Sequence, residues 1–365
     1  MNRPRFGTTV AVMIAFVVTT ATQAARTAEP PAVASGTPCK TGSAGDVMRQ
    51  VVAALGYEPE VGERCVAFSR GLPVDRWKAA IDSATRRTAD AGGTAGLVEV
   101  EMRVIDELRR RLDAVVAQAD GGSGYWNLPD VLADRRAQCL GNCQLWHVFG
   151  SSIALRVAAV EVSRPANGEL GEHETHVATL IKLADGRVRM IDTRYGIDSG
   201  PFRFGEVYRR DGAWWTRADL SPHRSLHRRV RPLDRRGIEA AILLNIGNTY
   251  RRAGRDADAA PIYDRGLTLD PDSPALNLAV GETFVRAGTW DEAERSIRAA
   301  VALDPECSDA HAAFGTLLTR QNKWVEAIAA FERAIELKPH SPDAITRLRE
   351  AERRRPEPAG TAPAP

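Results

Sequence analysis

A 34-residue period runs through the last third of this 365-residue chain and fixes what that third can fold into. Prolines stand at Pro271, Pro305 and Pro339, and glycines at Gly247, Gly281 and Gly315. Small alanines stand at Ala259, Ala293 and Ala327, and bulky apolar side chains at Tyr263, Ile297 and Phe331. A repeat of this length holds one antiparallel pair of helices. The glycines and alanines let the paired helices approach closely, and the bulky residue is expected to fill the space between one hairpin and the next. The proline ends the second helix, because it has no N–H to continue the ladder. Gly254, Gly288 and Asn322 fall where the first helix must turn, a place for left-handed backbone.

Period and pattern together resemble tetratricopeptide repeats. Three hairpins are predicted from about Ala240 to His340. Ser341 and Pro342 open a further helix with a basic end, Arg353 to Arg355, which reads as a cap with a polar outer face. The all-α solenoid with its cap therefore spans 237–355, and the Pro/Ala-rich tail 356–365 is expected to be disordered. Such a stack offers a concave surface to a protein or peptide; the plainer alternative is a rigid spacer or dimerisation wall.

The N-terminus reads as an export signal over residues 1–25. Arg3 and Arg5 precede an apolar run from Val10 to Val18, and small residues follow at Thr22, Ala24 and Ala25. The expected location is the periplasm, cell envelope or exterior, with membrane attachment only if the segment stays uncleaved. Five cysteines (Cys39, Cys65, Cys139, Cys143 and Cys307) then become eligible for disulfides, and Cys39 with Cys65 could staple the helical segment expected over 26–94.

Lys plus Arg number 49 against 47 Asp plus Glu, a balance that gives no reason to expect nucleic acid as a partner. The charge is uneven, however. Residues 201–236 carry ten arginines against four acids. They read as a solvated basic linker or domain edge, or as a patch for an anionic envelope component.

The chemistry concentrates between Leu128 and Tyr195. An apolar helix is predicted to begin near Cys139 and to run through Leu145, Trp146, Phe149 and Ile153. Residues 155–162 have strand character. His176 to Leu183 and Arg187 to Ile191 form two strands about an Ala184-Asp185-Gly186 turn, with Asp192 closing the second. A helix N-terminus lowers a thiol's pKa, an imidazole can accept its proton, and a carboxylate can hold the imidazole's tautomer. Cys139, His176 and Asp192 are the candidate catalytic set on these grounds. Gln138 and Trp126 are candidate oxyanion donors beside the Cys139 N–H. The competing set is a Cys2His2 zinc site of Cys139, Cys143, His173 and His176.

At Arg136-Ala137-Gln138-Cys139, Ala154-Leu155-Arg156-Val157, His176 and Asp192-Thr193 the chain resembles the transglutaminase-like branch of the papain-like cysteine protease superfamily. The resemblance covers roughly residues 95–200. It selects Cys139 over Cys143 by distance to the turn. It implies an α+β papain/transglutaminase-like domain ahead of the repeats, a thiol hydrolase or transamidase acting on amide bonds, and no cofactor. Ala137 and Ala154 stand where the family has Gly, and Ala178 where it often has an aromatic. These departures bear on catalytic competence. The alternative function is a catalytically inactive scaffold that binds protein partners.

Overall fold

The computed structural model describes residues 42–119, 126–165, 176–218 and 226–355. The segment 1–25 expected to direct export, Cys39, His173 and the tail from 356 lie outside the described residues. Four helices come first: α1 (Ala44–Ala54), α2 (Pro59–Ser69), α3 (Val74–Ala91) and α4 (Ala95–Val115). A reciprocal cap starts α1: Ser43 Oγ accepts from Asp46 N at 3.3 Å, and Asp46 Oδ2 accepts from Ser43 N at 3.1 Å. Next come β1 (Ala117–Gln118), α5 (Leu128–Asp134), β2 (Arg136–Ala137) and α6 (Cys139–Ser152). The α6 helix is apolar nearly all round, so it must be a buried central helix. Met48, Trp77, Ile105 and Leu108 from α1, α3 and α4 share one core with Leu145, Val148 and Phe149 of α6. Residues 42–94 are therefore part of the same domain rather than a separate unit. Cys65 is a free thiol buried in this core, and burial pushes it up to about 12.

The sheet follows. Its strands are β3 (Arg156–Arg164), β4 (His176–Lys182), β5 (Val188–Asp192), β6 (Ile197–Asp198), β7 (Tyr208–Asp211), β8 (Trp214–Arg217) and β9 (Arg229–Leu233), with the one-turn helix α7 (Phe204–Val207) before β7. The spatial order is β6-β5-β4-β3-β9-β8-β7, antiparallel throughout. Strand alternation separates two cores. Val157 and Ala159 of β3 join the helical core, while Ala158, Val160 and Val162 join a second one with Phe204, Tyr208 and Trp215.

The described residues of 201–236 are thus not a solvated linker. They supply α7, β7, β8 and β9, and β9 lies inside the sheet between β3 and β8. Arg229 and Arg231 are 3% and 8% exposed, so neither belongs to a free basic patch.

The repeats begin at α8 (Arg235–Arg252) and α9 (Asp256–Leu269), continue with α10 (Pro274–Ala287), α11 (Trp290–Leu303), α12 (Ser308–Arg320) and α13 (Trp324–Leu337), and end in α14 (Pro342–Arg354). Each first helix turns through a left-handed residue, Gly254 at φ 71°, Gly288 at 75° and Asn322 at 59°. One expectation changes. The bulky residue fills the space inside its own hairpin, not between hairpins. A Cβ at Gly281 would sit 2.5 Å from Ile297 Cγ1, one at Gly315 2.7 Å from Phe331 Cε1, and one at Gly247 would collide with the Tyr263 ring. Only glycine admits that approach.

Strand β9 clasps the stack. Arg231 donates to Glu161 of β3 and to Asp270 at the end of α9; Arg229 pairs with Asp304 at the end of α11. Asp270 and Asp304 are equivalent positions of successive repeats, and Arg229 and Arg231 are two apart on one strand, so both arginines leave the same face. Trp214 Nε1 donates to Leu303 O at 2.9 Å beside them. The first repeat helix also enters the helical core through Ile238 and Ile242. Among the described residues no helix is long and apolar enough to cross a membrane.

Candidate functional site

Cys139 is the first residue of α6, with Gln138 as its N-cap in extended backbone. The first amides of a helix have no partner within it, so its sulfur stands at a locally positive end. The helix is held there from below. The Tyr57 hydroxyl donates to Gln144 Oε1 at 2.6 Å, and Gln144 Nε2 donates to Trp126 O at 2.7 Å. The strand pair β4 and β5 brings in the other two groups, since the pairing of Thr179 with Ile191 runs on toward His176 and Asp192 at the same end. His176 is fully buried and Asp192 is 4% exposed.

His176 Nε2 lies 2.5 Å from Asp192 Oδ2. Asp192 Oδ1 accepts from the backbone N–H groups of Arg194 at 3.0 Å and Tyr195 at 3.3 Å. Burial works against the Asp192 charge, but the bonds from His176 and His227 outweigh it and hold the carboxyl well below its usual range. Both imidazoles therefore donate Nε2–H to an ionised carboxylate. The remaining nitrogen of His176, Nδ1, is buried with no conventional hydrogen bond. Cys139 is the thiol coupled to this ring.

Burial alone would lower the His176 pKa. The hydrogen bond to Asp192 and the negative charge of Asp192 and Cys139 reverse the direction and push it up to about 9. For Cys139 burial raises the pKa, and the neighbouring His176 imidazolium more than offsets it, so the thiol is held below its ordinary value. Cys143, one turn on, is the contrast. It is buried, accepts from Thr179 Oγ1 at 3.5 Å, and burial drives its pKa up.

The structure brings the predicted Cys139, His176 and Asp192 to one place. Of the alternative zinc set, Cys143 accepts from Thr179 Oγ1 and His176 is bonded to Asp192, while His173 lies outside the described residues. Among the described residues the one group with metal-like spacing is His176, Asp192 and His227. Its two imidazoles share one carboxylate oxygen through hydrogen bonds. Trp126 packs partly buried against the helical core just before α5.

His227 and Gln118 escaped the sequence. His227 Nε2 sits 2.8 Å from Asp192 Oδ2, and the His227 ring is fully buried. Tyr195 presents its ring edge-to-face to both imidazoles, with centroids 4.9 Å from His176 and 5.5 Å from His227. Gln118 is the other. Parallel pairing of β1 with β2 sets it opposite Ala137, two residues before Cys139. Its Oε1 accepts from Asn142 at 3.3 Å and Thr193 at 3.2 Å. These three residues and Asp192 line a cavity of about 270 Å³.

A second cavity, of about 460 Å³, lies between the repeats and the sheet. Leu244, Asn248, Leu278 and Glu282 line it from the first helices of the hairpins, and Val162 and Trp214 from the strands.

Two family models match, both described as tetratricopeptide repeat, over residues 242–275 and 278–342. The C-terminal region is a tetratricopeptide stack, a protein-interaction architecture. No curated protein matches the chain. Among solved structures, the first tetratricopeptide domain of Spaghetti (RPAP3), bound to an HSP90 peptide, is 29% identical, with 31% of this chain and 90% of that one covered at a TM-score of 0.30. The Sgt2 tetratricopeptide domain from Aspergillus fumigatus is 21% identical, covering 32% and 78% at a TM-score of 0.30. A mutant O-GlcNAc transferase of Thermobaculum terrenum is 25% identical, covering 33% and 23% at 0.32.

Proposed function

We propose that this chain is an exported, transglutaminase-like thiol hydrolase or transamidase that cleaves or exchanges amide bonds of a peptide or protein. Its tetratricopeptide stack docks a protein partner. The observation that carries the reading is the chain of contacts from a helix-start thiol, through His176, to an ionised Asp192. No single sequence feature produces it; three separate elements converge on it.

The chemistry follows from the protonation states. The Cys139 thiolate adds to the amide carbonyl carbon, forming a C–S bond and an oxyanion. The Cys139 N–H, an orphan of the first turn of α6, is one donor for that oxygen. Imidazolium His176 gives its Nδ1 proton to the departing nitrogen as the C–N bond breaks, leaving an acyl-thioester. Water or an amine then adds to the thioester while Nδ1 accepts its proton, and the C–S bond breaks to restore the thiolate–imidazolium pair. Asp192 stays ionised and orients the ring.

The second reading is an inactive transglutaminase-like scaffold. It draws on Ala137, Ala154 and Ala178 standing at positions where the family has other residues. A fluorophosphonate-free, thiol-directed probe decides between them: acyl-type electrophiles should label wild-type protein at Cys139 and leave His176→Ala unlabelled. Equal labelling of both contradicts the catalytic reading. Export is tested separately, by the mass of the N-terminus after expression in a host with a periplasm; an intact Met1 start contradicts cleavage.

A further inference from the structure

We propose that His227 is a positioning residue of the thiol site, holding the Asp192 carboxylate through a second imidazole hydrogen bond on the very oxygen that orients His176. The inference rests on the reading of Cys139, His176 and Asp192 as the reacting set and deepens it.

The geometry is specific. Among the described residues Asp192 has four donors: two backbone N–H groups on Oδ1 and two imidazole Nε2 atoms on Oδ2. The two on Oδ2 compete. A carboxylate oxygen that accepts a second hydrogen bond pulls less strongly on the first donor, so His227 moderates the hold of Asp192 on His176. It also restrains carboxylate rotation, because the oxygen aimed at His176 is tied from another side. His227 reaches the site from just before β9, which is two strands away from β4 in the sheet. Its ring packs at 71° to His176 with centroids 5.9 Å apart and at 89° to Tyr195, so its orientation is set by packing as well as by the bond.

Burial and the positive charges of His176 and Arg217 oppose protonation of His227, the hydrogen bond and charge of Asp192 favour it, and the net direction is downward. His227 is therefore a neutral donor near neutral pH, whereas His176 is the charged member of the pair. The groups facing the His176–Asp192–His227 cluster are Cys139 and Cys143 from α6, Tyr195 from the turn after β5, His227 before β9 and, on the His227 side, Arg217 of β8.

The test uses the full chain with histidine-labelled nitrogen NMR. His227→Phe keeps bulk and removes the donor; His227→Gln keeps a donor. The His176 titration midpoint should rise by about one pH unit in His227→Phe, the effect of losing one competing hydrogen bond. In His227→Gln it should stay close to wild type. A melting temperature that falls while the midpoint stays put in His227→Phe overturns the proposal and leaves His227 a packing residue. Wild-type protein gives an independent reading if His227→Phe does not fold. Two downfield imidazole N–H protons should be present, and both should move in Asp192→Asn; a single responding proton overturns the proposal. Ordinary alkylation of wild-type Cys139 would instead overturn the catalytic reading, while the His176 midpoint would still judge His227.

Discussion

Arg231 and Asp270 face each other in two parallel hydrogen bonds, Nη1 to Oδ1 at 3.1 Å and Nη2 to Oδ2 at 2.7 Å, across the boundary between the sheet and the repeats. Arg231 also holds Glu161 of the neighbouring strand. The guanidinium thus bridges two carboxylates in a seam where all three side chains are about nine-tenths buried. Removing one partner of such a buried cluster leaves charge without compensation. Arg231→Leu should cost about 3–5 kcal/mol of unfolding free energy. Asp270→Asn should cost less, since Glu161 still pairs with the arginine. Denaturant unfolding checks both, and equal small losses would contradict the clasp.

The glycine of each first helix is fixed by what faces it. Tyr263 packs against Gly247 and donates its hydroxyl to Asn248 Oδ1 at 2.8 Å, so the ring cannot retreat freely from an added methyl. Gly247→Ala should destabilise by about 1–3 kcal/mol despite alanine's better helix propensity. Thermal unfolding of the variant measures it, and an unchanged or raised midpoint would contradict the packing account.

Ala154 ends the turn after α6 with φ 68°, left-handed backbone in a residue that carries a Cβ. That conformation costs of order 1–2 kcal/mol for an L-residue, partly offset by glycine's larger loss of chain entropy. Ala154→Gly should therefore stabilise by about 0.5–1 kcal/mol. Chemical denaturation is the measurement, and destabilisation would contradict it.

These elements also show why some of the fold was legible and some was not. The repeats were readable because each hairpin needs the same glycine against the same bulky partner, so one constraint recurs every 34 residues. His176 and Asp192 were readable because a short hairpin joins them. His227 was not. It reaches Asp192 from 35 residues downstream through the order β5-β4-β3-β9, which no local pattern encodes. Strand β9 was misread for a related reason. Arginines at alternate positions look like a solvent face, and only the distant Asp270 and Asp304 make their burial tolerable. The spacing suggests that the bulky repeat residues pack between hairpins, whereas they pack within them, because that choice depends on rotation about the helix axis and not on the period.

The His176 pair should also shape stability against pH. Its folded value of about 9 lies above its ordinary 6.5. The protonated ring is favoured by folding, so its contribution is fully present below 6.5 and is lost as pH rises through about 9. The difference in unfolding free energy between wild type and His176→Gln should shrink across that window. A difference that grows with pH would have the wrong sign.

The most direct measurement is the rate of iodoacetamide alkylation at Cys139 as a function of pH, read by mass spectrometry of its peptide in wild type and in His176→Ala. A thiolate held by an imidazolium predicts a wild-type rate at pH 6 close to that at pH 9, and at least a tenfold loss at pH 6 in His176→Ala. A wild-type rate that climbs about tenfold per pH unit toward an ordinary thiol midpoint near ~8.5, matched by His176→Ala, would contradict the account.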